Sequence, residues 1–362
     1  MTDASDILNC DIAIIGGGIG GAATALALAR AGLTAEVFEQ ASELREVGGG
    51  IVVREPSRKR LEQWGVLDDL KRKMVPVDVL EILGKDSSVL GTAPAGFDGG
   101  ETFCAHRGDV HGALVARIDR SRLHLNHRVT SIVNHPVYVE ATFANGARVR
   151  ARLLIGADGL RSVARRLIDT TPMNFQKQIT NRTIAPASLL PASLPPDRIR
   201  VWQAGMRRII MLPIRGGTEV TINAAIPAEE APAQLWAQTE PETMLPYFAD
   251  FDPLIARLLL AGTRPMTTHP VYDRDPIERW IDGRVVLLGD AAHPMSPMNG
   301  QGANQAMQDA GALADALVEH GADQGAALQA YQAIRAPATA HILTLSRKPP
   351  PSLQAAEKAA SS

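Results

Sequence analysis

The spacing of apolar residues in the first forty positions predicts a strand, a glycine loop, a helix and a second strand. Asp11 to Ile15 forms a short apolar strand, Gly16 to Gly21 the loop, Ala22 to Ala31 an alanine-rich helix, and Ala35 to Glu39 the second strand. This order is typical of the βαβ unit that opens a parallel sheet. The pattern therefore predicts an α/β fold.

The pattern then changes to pairs of strands joined by short turns. Val137 to Phe143 and Ala147 to Ile155 flank Asn145-Gly146, a dipeptide that favours an antiparallel hairpin. A second hairpin is predicted from Arg208 to Pro213 and Glu219 to Ile226, on either side of two glycines. We assign the proline-rich middle region from roughly Thr171 to Thr268, which contains the second hairpin, to a smaller, mostly antiparallel sheet domain.

A buried strand followed by a helix, as in the first forty residues, is predicted again late in the sequence. Arg284 to Leu288 is predicted as a buried strand and Asn304 to Val318 as an amphipathic helix. We therefore expect a discontinuous Rossmann-like domain into which an antiparallel β-sheet substrate domain is inserted. Residues 1–75, 102–170 and 270–347 are assigned to the first domain, 76–101 and 171–269 to the second, and 348–362 to a tail that we expect to be disordered.

Composition and charge exclude several classes of partner. The 362 residues include 37 Lys and Arg and 39 Asp and Glu, so the net charge of -2 gives no broad cationic field. Nucleic acid and membranes are therefore not expected as partners. The uncharged run from Ile14 to Ala29 follows aspartates and is rich in glycine, so it predicts neither a signal peptide nor a membrane span. Cys10 and Cys104 lack disulfide or metal-site spacing, which agrees with a cytoplasmic location and no bound metal.

The first loop has the spacing of a dinucleotide-binding fingerprint, Gly16-x-Gly18-x-x-Gly21, between a strand and a helix. Gly16 permits the tight turn, Gly18 lets the backbone approach a pyrophosphate, and Gly21 allows the helix to pack closely on the strand. The helix N-terminus supplies free N–H groups to the phosphates. Glu39 ends the second strand, where an acidic residue accepts hydrogen bonds from a ribose. This loop alone does not separate NAD from FAD.

Two further motifs follow predicted strands and carry a resemblance to a known family. They are Gly156-Ala157-Asp158-Gly159-Leu160-Arg161-Ser162 and Gly289-Asp290-Ala291-Ala292-His293-Pro294. With the glycine loop, they resemble the three fingerprints of the class A flavoprotein aromatic hydroxylases, the para-hydroxybenzoate hydroxylase superfamily. The segments 36–40, 44–51, 106–111 and 289–310 look most like the salicylate hydroxylase-like branch, and the resemblance covers roughly residues 8 to 340.

The resemblance implies a GR2-type FAD-binding domain and a monooxygenase that takes NADH or NADPH as co-substrate. NAD(P)H would reduce FAD, O2 would add at the flavin C4a, and one oxygen atom would be delivered to a small aromatic or heteroaromatic acid such as a hydroxybenzoate. A hydroxypyridine carboxylate or a urate-type heterocycle is the alternative substrate. A catalytically idle FAD-binding protein and a prenyl-lipid flavin reductase are alternatives of another class. The enzyme is expected to be a monomer or a homodimer.

The resemblance also implies which residues hold FAD. Asp290 would bind the ribityl chain, Asp158 belongs to the motif that touches both FAD and NAD(P)H, Arg45 and Arg107 would hold ribose and pyrophosphate, and Val129 would contact adenine through its backbone. A guanidinium suits a pyrophosphate because it can donate two parallel hydrogen bonds. The full set of implied cofactor-binding residues is Gly16, Gly18, Gly20, Gly21, Glu39, Gln40, Arg45, Arg107, Val129, Asp158, Asp290, Pro297, Gly300, Gln301, Gly302, Ala303 and Asn304.

The block from Pro297 to Asn304 has its own physical logic. Its glycines let backbone N–H groups face a flat ring, and the positive end of the following helix would favour an anionic reduced flavin. His293, close after Asp290, is interpreted as a packing residue, since no carboxylate follows at a spacing that would orient it. His106 is likewise expected to cap local structure.

This chain departs from the family's pattern at the residues that, in many relatives, activate the substrate. Many relatives place a His and, four residues on, a Tyr on the strand that faces the flavin, whereas this chain has Arg208 and Leu212. Arg208 matches an arginine of the urate hydroxylase and of the pyridine-carboxylate ring-opening oxygenase, and Arg182 matches one of the latter. We expect Arg208 to face the flavin and bind the acidic edge of the substrate, with Arg182 as a weaker candidate. The alternative is that both are solvated charges on the sheet. With Val52 in place of a polar residue, the pocket is predicted to be apolar apart from arginines.

Overall fold

The computed structural model describes residues 7–44, 48–96, 100–297 and 300–347. The predicted tail at residues 348–362 and the predicted pyrophosphate ligand Arg45 lie outside this described part. Strands are numbered β1 to β19 and helices α1 to α7 along the chain.

An eight-stranded sheet built on parallel strands forms the nucleotide-binding part of the molecule. Its strand order is β18-β19-β11-β1-β2-β8, with β10 paired to β11 and β9 paired to β10. The strands are β1 (Leu8–Ile15), β2 (Ala35–Phe38), β8 (Leu123–His124), β9 (Val129–Asn134), β10 (Val139–Phe143), β11 (Arg148–Gly156), β18 (Ile281–Asp282) and β19 (Val285–Leu287). Because β1 is parallel to both β2 and β11, and β11 to β19, their carboxyl ends meet at one edge of the sheet.

A second eight-stranded sheet, here called the substrate sheet, has the order β16-β17-β12-β15-β14-β13-β5-β6. All of its pairs are antiparallel apart from β5 with β13. Its strands are β5 (Val79–Leu83), β6 (Val89–Pro94), β12 (Asn174–Pro186), β13 (Ile199–Ala204), β14 (Arg207–Ile214), β15 (Glu219–Pro227), β16 (Ala237–Thr239) and β17 (Met266–Asp273). A third sheet, β3 (Gly50–Arg54), β7 (Thr102–His106) and β4 (Val75–Pro76), lies against it.

The helices lie mainly beside the nucleotide-binding sheet. They are α1 (Ile19–Arg30), α2 (Glu55–Gln63), α3 (Leu67–Leu70), α4 (Arg107–Val115), α5 (Pro253–Leu260), α6 (Gly302–His320) and α7 (Gln324–Ser346). Small residues such as Ala22 and Ala23 are fully buried in α1, which packs closely on α6. Both faces of β1 are covered, so Ala13, Ile14 and Ile15 are all buried, as expected for a parallel strand.

The local elements that the sequence predicts are present. The first βαβ unit is formed by β1, α1 and β2, and the two hairpins by β10 with β11 and by β14 with β15. The mixed α/β architecture with an inserted antiparallel sheet is confirmed. The assigned domain boundaries stay predictions, and the one at residue 269 falls inside β17. In the described part of the chain, no helix combines the length and apolar character that crossing a membrane requires.

Candidate active site

The glycine loop shows which glycines the chain itself requires and which leave room for a ligand. Gly16 has a φ of +104°, and a Cβ there would lie 2.3 Å from the Ala157 carbonyl oxygen. A Cβ at Gly21 would lie 1.9 Å from the Gly16 oxygen. At Gly18, in contrast, a Cβ would meet no atom within 4 Å. The turn and packing reasons given for Gly16 and Gly21 are therefore confirmed, and Gly18 faces open space beside the N-terminus of α1.

Two side chains hold the loop at Gly17. Its N–H donates to Glu39 Oε2 at 2.6 Å, and its carbonyl oxygen accepts from His111 Nε2 at 2.7 Å. The other oxygen of Glu39 accepts from the Ala41 N–H. A carboxylate has about four acceptor positions, so Glu39 retains capacity for a ribose hydroxyl. The buried His111 was given no role by the sequence, although it lies in the segment 106–111 that carries the resemblance.

A cavity of about 600 Å³ lies between the carboxyl end of the nucleotide-binding sheet, β3 and the substrate sheet. Its walls include the N-terminus of α6 and the segment after β19. Seven of the residues that the sequence proposed for the site line it: Arg107, Arg182, Asp290, Pro297, Gly300, Gly302 and Ala303. The structure therefore brings residues from distant segments together around one cavity.

Asp290 and the start of α6 form one wall. The Asp290 side chain is exposed to the cavity and makes no hydrogen bond to any described residue. A Cβ at Gly302, the first residue of α6, would approach nothing closer than Asp290 Oδ1, at 3.6 Å. An unpaired carboxylate beside the free N–H groups of a helix N-terminus matches a ligand that presents both hydroxyl groups and an electron-rich ring edge. These groups fit the ribityl chain and ring of FAD.

Asn304 is committed to the protein itself. Its Oδ1 accepts from the Arg54 N–H, and its Nδ2 donates to the carbonyl oxygens of Val52 and Gly300. The Gln301 side chain accepts from Gln305. Asn304 thus ties the loop before α6 to β3, and a contact of Asn304 with FAD would have to use its backbone.

Three further predicted ligands of FAD lie away from these cavity walls. The Asp158 carboxylate accepts from Ser162 Oγ and from the N–H groups of Val163 and Ala164, and burial raises the pKa of this carboxyl. Val129 is the buried first residue of β9, and Gln40 is exposed after β2. Asp158 therefore stabilises the turn after β11, and its contact with FAD stays a prediction, as do those of Val129 and Gln40.

The substrate sheet contributes the cavity floor, and its register shows which side chains share the floor. Ile210 on β14 pairs with Asn223 on β15, which pairs with Arg182 on β12, and all three line the cavity. Arg208, two residues before Ile210, belongs to the same face of the sheet because side chains alternate along a strand. Arg208 is half-buried and is not among the residues that line the cavity.

Arg182 is a cation without a partner among the described residues. Its guanidinium makes no hydrogen bond or ion pair with any described residue, although Gly49 lies against its stem. Burial, and then the nearby charge of Arg107, lower the pKa of Arg182 to about 10, so Arg182 stays protonated at neutral pH. Much of the remaining floor is apolar, with Leu80, Ile199, Val201, Ile210 and Leu212. The prediction of a pocket that is apolar apart from arginines is nevertheless wrong, because Asn223 and His269 also line it.

His269 on β17 also lines the cavity, and the sequence gave no reason to single it out. It pairs with Thr180 on β12, so it is a diagonal neighbour of Arg182. Its Nδ1 lies 3.3 Å from the Leu235 carbonyl oxygen. Burial, and then the charge of Arg182, lower the pKa of His269 to about 4.

The expectation that no carboxylate orients His293 is wrong. His293 Nε2 donates to Asp309 Oδ2 at 2.6 Å, where Asp309 comes from α6, 16 positions away. Asp309 also accepts from the Gly289 N–H and from Arg335 Nε on α7. Both His293 and Asp309 are buried away from the cavity lining, so the interpretation of His293 as a packing residue is kept. His106 stands at the N-cap position of α4 without capping it, and its Nε2 bonds the Gly48 carbonyl instead.

The fold and cavity define an enzyme of the FAD-dependent class, and comparison with known proteins assigns its family. Residues 9–346 match the FAD binding domain family, so the chain belongs to that family. It is 31% identical over 345 residues to the 3-amino-4-hydroxybenzoate 2-monooxygenase PtnB3 of Streptomyces platensis, covering 93% of this chain and 87% of the relative. It is 30% identical over 335 residues to the 6-hydroxynicotinate 3-monooxygenase of Bordetella bronchiseptica, covering 90% and 87%.

A solved salicylate hydroxylase in complex with its substrate has the same fold. It superposes with a TM-score of 0.78 over 97% of this chain and 88% of that one, at 24% sequence identity. The predicted family is confirmed: the chain is an FAD-dependent monooxygenase.

Proposed function

We propose that this monooxygenase uses NADH or NADPH and O2 to hydroxylate a small aromatic or heteroaromatic ring that carries a carboxylate, and that Arg182 binds the carboxylate. The two curated relatives are named for 3-amino-4-hydroxybenzoate and 6-hydroxynicotinate, both of which are hydroxylated aromatic acids. The observation that carries the proposal is the guanidinium of Arg182 on the cavity floor, which no described residue pairs with.

The charge balance of the cavity favours an anionic substrate. Arg182 and Arg107 lie close enough to lower the pKa of Arg182, so each cation destabilises the other when the cavity holds no anion. The pyrophosphate of FAD is the proposed partner of Arg107, which leaves Arg182 for the substrate. A planar guanidinium donates two parallel hydrogen bonds to a carboxylate, which fixes the orientation as well as the position of the ring.

The residues beside Arg182 would contact the rest of the substrate ring. Asn223, its cross-strand partner, has a buried Oδ1 that accepts no hydrogen bond from the described residues. A hydroxyl or ring N–H on the substrate would satisfy this oxygen, since leaving a buried acceptor unpaired costs about 1–3 kcal/mol. Ile210 and Leu212 would pack on the ring and exclude water.

Arg208 is kept as a second candidate for the acidic edge. It belongs to the same face of the sheet as Ile210, but it is not one of the cavity-lining residues. Our proposal therefore reverses the order that the sequence suggested, with Arg182 before Arg208.

The FAD site is proposed around the glycine loop, Arg107, Asp290 and the start of α6. Bound FAD would supply the electron transfer from the nicotinamide and the activation of O2. The protein would hold the ribityl hydroxyls at Asp290 and stabilise negative charge on the ring with the N–H groups of α6. We further propose a cytoplasmic location and a monomer or homodimer, which size-exclusion chromatography with light scattering would test.

The test is a substrate screen in matched pairs. We expect 3-hydroxybenzoate, 6-hydroxynicotinate and related acids to stimulate NAD(P)H oxidation with formation of a hydroxylated product, and phenol and 2-hydroxypyridine, which lack the carboxylate, to stimulate it far less. Urate, an acidic heterocycle without a carboxylate, is the second candidate because a ring N–H could bind Asn223. Equal stimulation and product yield with and without the carboxylate would reject the proposed substrate class.

A further inference from the structure

We propose that Nε2 of His269 accepts the proton of the substrate's ring hydroxyl or ring N–H. This assigns substrate activation to β17 and not to β14, where neither Arg208 nor Leu212 can accept a proton at neutral pH. The inference deepens the proposed function and rests on it.

The hydrogen bonds of His269 determine which nitrogen is available. A carbonyl oxygen only accepts, so Nδ1 must carry the hydrogen that it shares with Leu235 at 3.3 Å. In the neutral imidazole this leaves the lone pair on Nε2, which makes no hydrogen bond to any described residue. His269 lines the cavity, and the Thr180 hydroxyl binds its carbonyl oxygen from the neighbouring strand. The ring is therefore held at Nδ1 and its backbone is held by β12, while no described residue uses the basic nitrogen.

The position of His269 relative to Arg182 matches a substrate with an acid group and a hydroxyl group. Arg182 pairs with Thr267 and His269 pairs with Thr180, so the two side chains are diagonal neighbours on one face. Diagonal neighbours in a sheet lie roughly 7–8 Å apart, within the reach of long side chains. A small ring whose carboxylate binds Arg182 can thus present a substituent to His269.

The electrostatics favour proton acceptance only after the acid has bound. Burial and then Arg182 lower the pKa of His269 to about 4, so before the acid binds the ring is neutral at neutral pH but is only a weak base. A carboxylate on Arg182 would cancel part of that cationic field and raise the proton affinity of His269. The ionisable side chains that line the cavity in the described part of the chain are Arg54, Arg107, Arg182, His269, Tyr272 and Asp290.

The proposed step is a proton transfer without a change of oxidation state. The O–H or N–H bond of the substrate breaks, its electron pair stays on the substrate, and an N–H bond forms on Nε2. The substrate becomes an electron-rich anion, and His269 becomes a cation that can return its proton after oxygen transfer.

The test follows the ionisation of a bound probe without turnover. The oxidised, FAD-loaded protein is titrated with 4-hydroxy-3-nitrobenzoate, whose phenolate is coloured, between about pH 4 and 9. We expect the ionisation midpoint of the bound probe to be at least about one pH unit lower in the parent than in His269→Asn, with the affinity for the protonated phenol form changed less than about threefold. His135→Asn, a histidine in the β9–β10 turn, is the control and should match the parent.

The outcomes separate the two proposals. An equal midpoint in the parent and in His269→Asn overturns the role of His269 while leaving the substrate class intact. If the parent does not bind the probe, the proposed carboxylate site fails and the role of His269 fails with it. If His269→Asn does not fold, His269→Gln serves the same comparison, because Gln cannot take up the proton either.

Discussion

Asp309 and His293 share a hydrogen bond of 2.6 Å between two fully buried side chains, and this bond joins α6 to the segment that presents Asp290 to the cavity. The Asp309 carboxylate also accepts hydrogen bonds from the Gly289 N–H and from Arg335 Nε. Removing the carboxylate would leave the Arg335 cation buried without its partner. We therefore predict that Asp309→Ala lowers the free energy of unfolding by about 3–5 kcal/mol, measured by urea denaturation.

The matched control is Asp315→Ala on the same helix. Asp315 pairs with Arg60 at 2.7 Å, but its side chain is 63% exposed, so its removal should cost less than about 1 kcal/mol. A similar loss of unfolding free energy in both variants would contradict the prediction, because the buried cluster around Asp309 would then contribute no more to stability than an exposed ion pair.

The same cluster predicts a pH dependence of stability. Burial raises the pKa of Asp309, but His293 and Arg335 outweigh it and hold this pKa below its usual range. A carboxyl whose folded pKa is lowered stabilises the fold above its unfolded pKa, and that contribution is lost as the pH falls through the folded pKa. We expect the parent to lose more unfolding free energy than Asp309→Asn between about pH 6 and 3. Parallel curves for the two proteins would contradict this assignment.

Asp290 should matter for FAD binding and little for the apoprotein. Its carboxylate has no hydrogen-bond partner among the described residues, so Asp290→Ala breaks no side-chain hydrogen bond in that part of the chain. We predict about 2 kcal/mol weaker FAD binding, since hydrogen bonds to charged groups contribute roughly 1.5–3 kcal/mol. Titration of apoprotein with FAD, followed by flavin fluorescence, measures the loss. Unchanged affinity would show that Asp290 does not reach the cofactor.

Gly18 offers a test of the pyrophosphate site that leaves the fold intact. It has an ordinary φ of -67°, and a Cβ would meet no protein atom within 4 Å. Gly18→Val should therefore retain the apoprotein's melting temperature but weaken FAD binding at least about tenfold, because the side chain occupies the phosphate's approach. Gly112 on α4 also has open space around its Cβ position, so Gly112→Ala is the control and should bind FAD like the parent. Normal FAD affinity in Gly18→Val would place the pyrophosphate elsewhere.

Gly302 tests the ring end of the cofactor site in the same way. A Cβ at Gly302 would touch only Asp290 Oδ1, so Gly302→Val adds bulk to the cavity and not to the protein core. We expect reduced flavin occupancy, measured as the ratio of flavin to protein absorbance after purification. Full occupancy together with parent-like turnover would contradict the placement of the flavin ring beside α6.

The sequence predicts the local elements well because their signals are local. Period-two alternation and the Asn145-Gly146 turn define the β10–β11 hairpin, and the strand, glycine loop and helix define the first βαβ unit. The bond between His293 and Asp309 could not be predicted in this way, because the second residue comes from a different helix packed on the first segment. His269 gives no local signal either, since its role depends on its pairing with Thr180 across the sheet.

Arg208 and Arg182 show that strand alternation predicts the face on which a side chain lies but not whether it reaches the cavity. Alternation puts Arg208 on the same face as Ile210 and Leu212, which agrees with its expected orientation. It does not say how far the cavity extends along that face. The cavity ends before Arg208 and includes Arg182, whose position depends on the pairing of β12 with β15 and β17.

The final prediction separates the two arginines by kinetics. Arg182→Lys exchanges a planar fork for a compact charge, so the bidentate contact with a carboxylate is lost while the charge is kept. We expect at least about a tenfold loss of kcat/KM, equivalent to about 1.4 kcal/mol of transition-state stabilisation, with unchanged FAD content. Product formed per NAD(P)H consumed should also fall, because a poorly held ring receives less of the activated oxygen and the rest escapes as hydrogen peroxide. Arg208→Lys is the matched comparison from the same face of the sheet and should lose less than about threefold. A larger loss of kcat/KM and coupling in Arg208→Lys than in Arg182→Lys would transfer the substrate's acidic edge to Arg208, and parent-like values in both would remove both arginines from substrate binding.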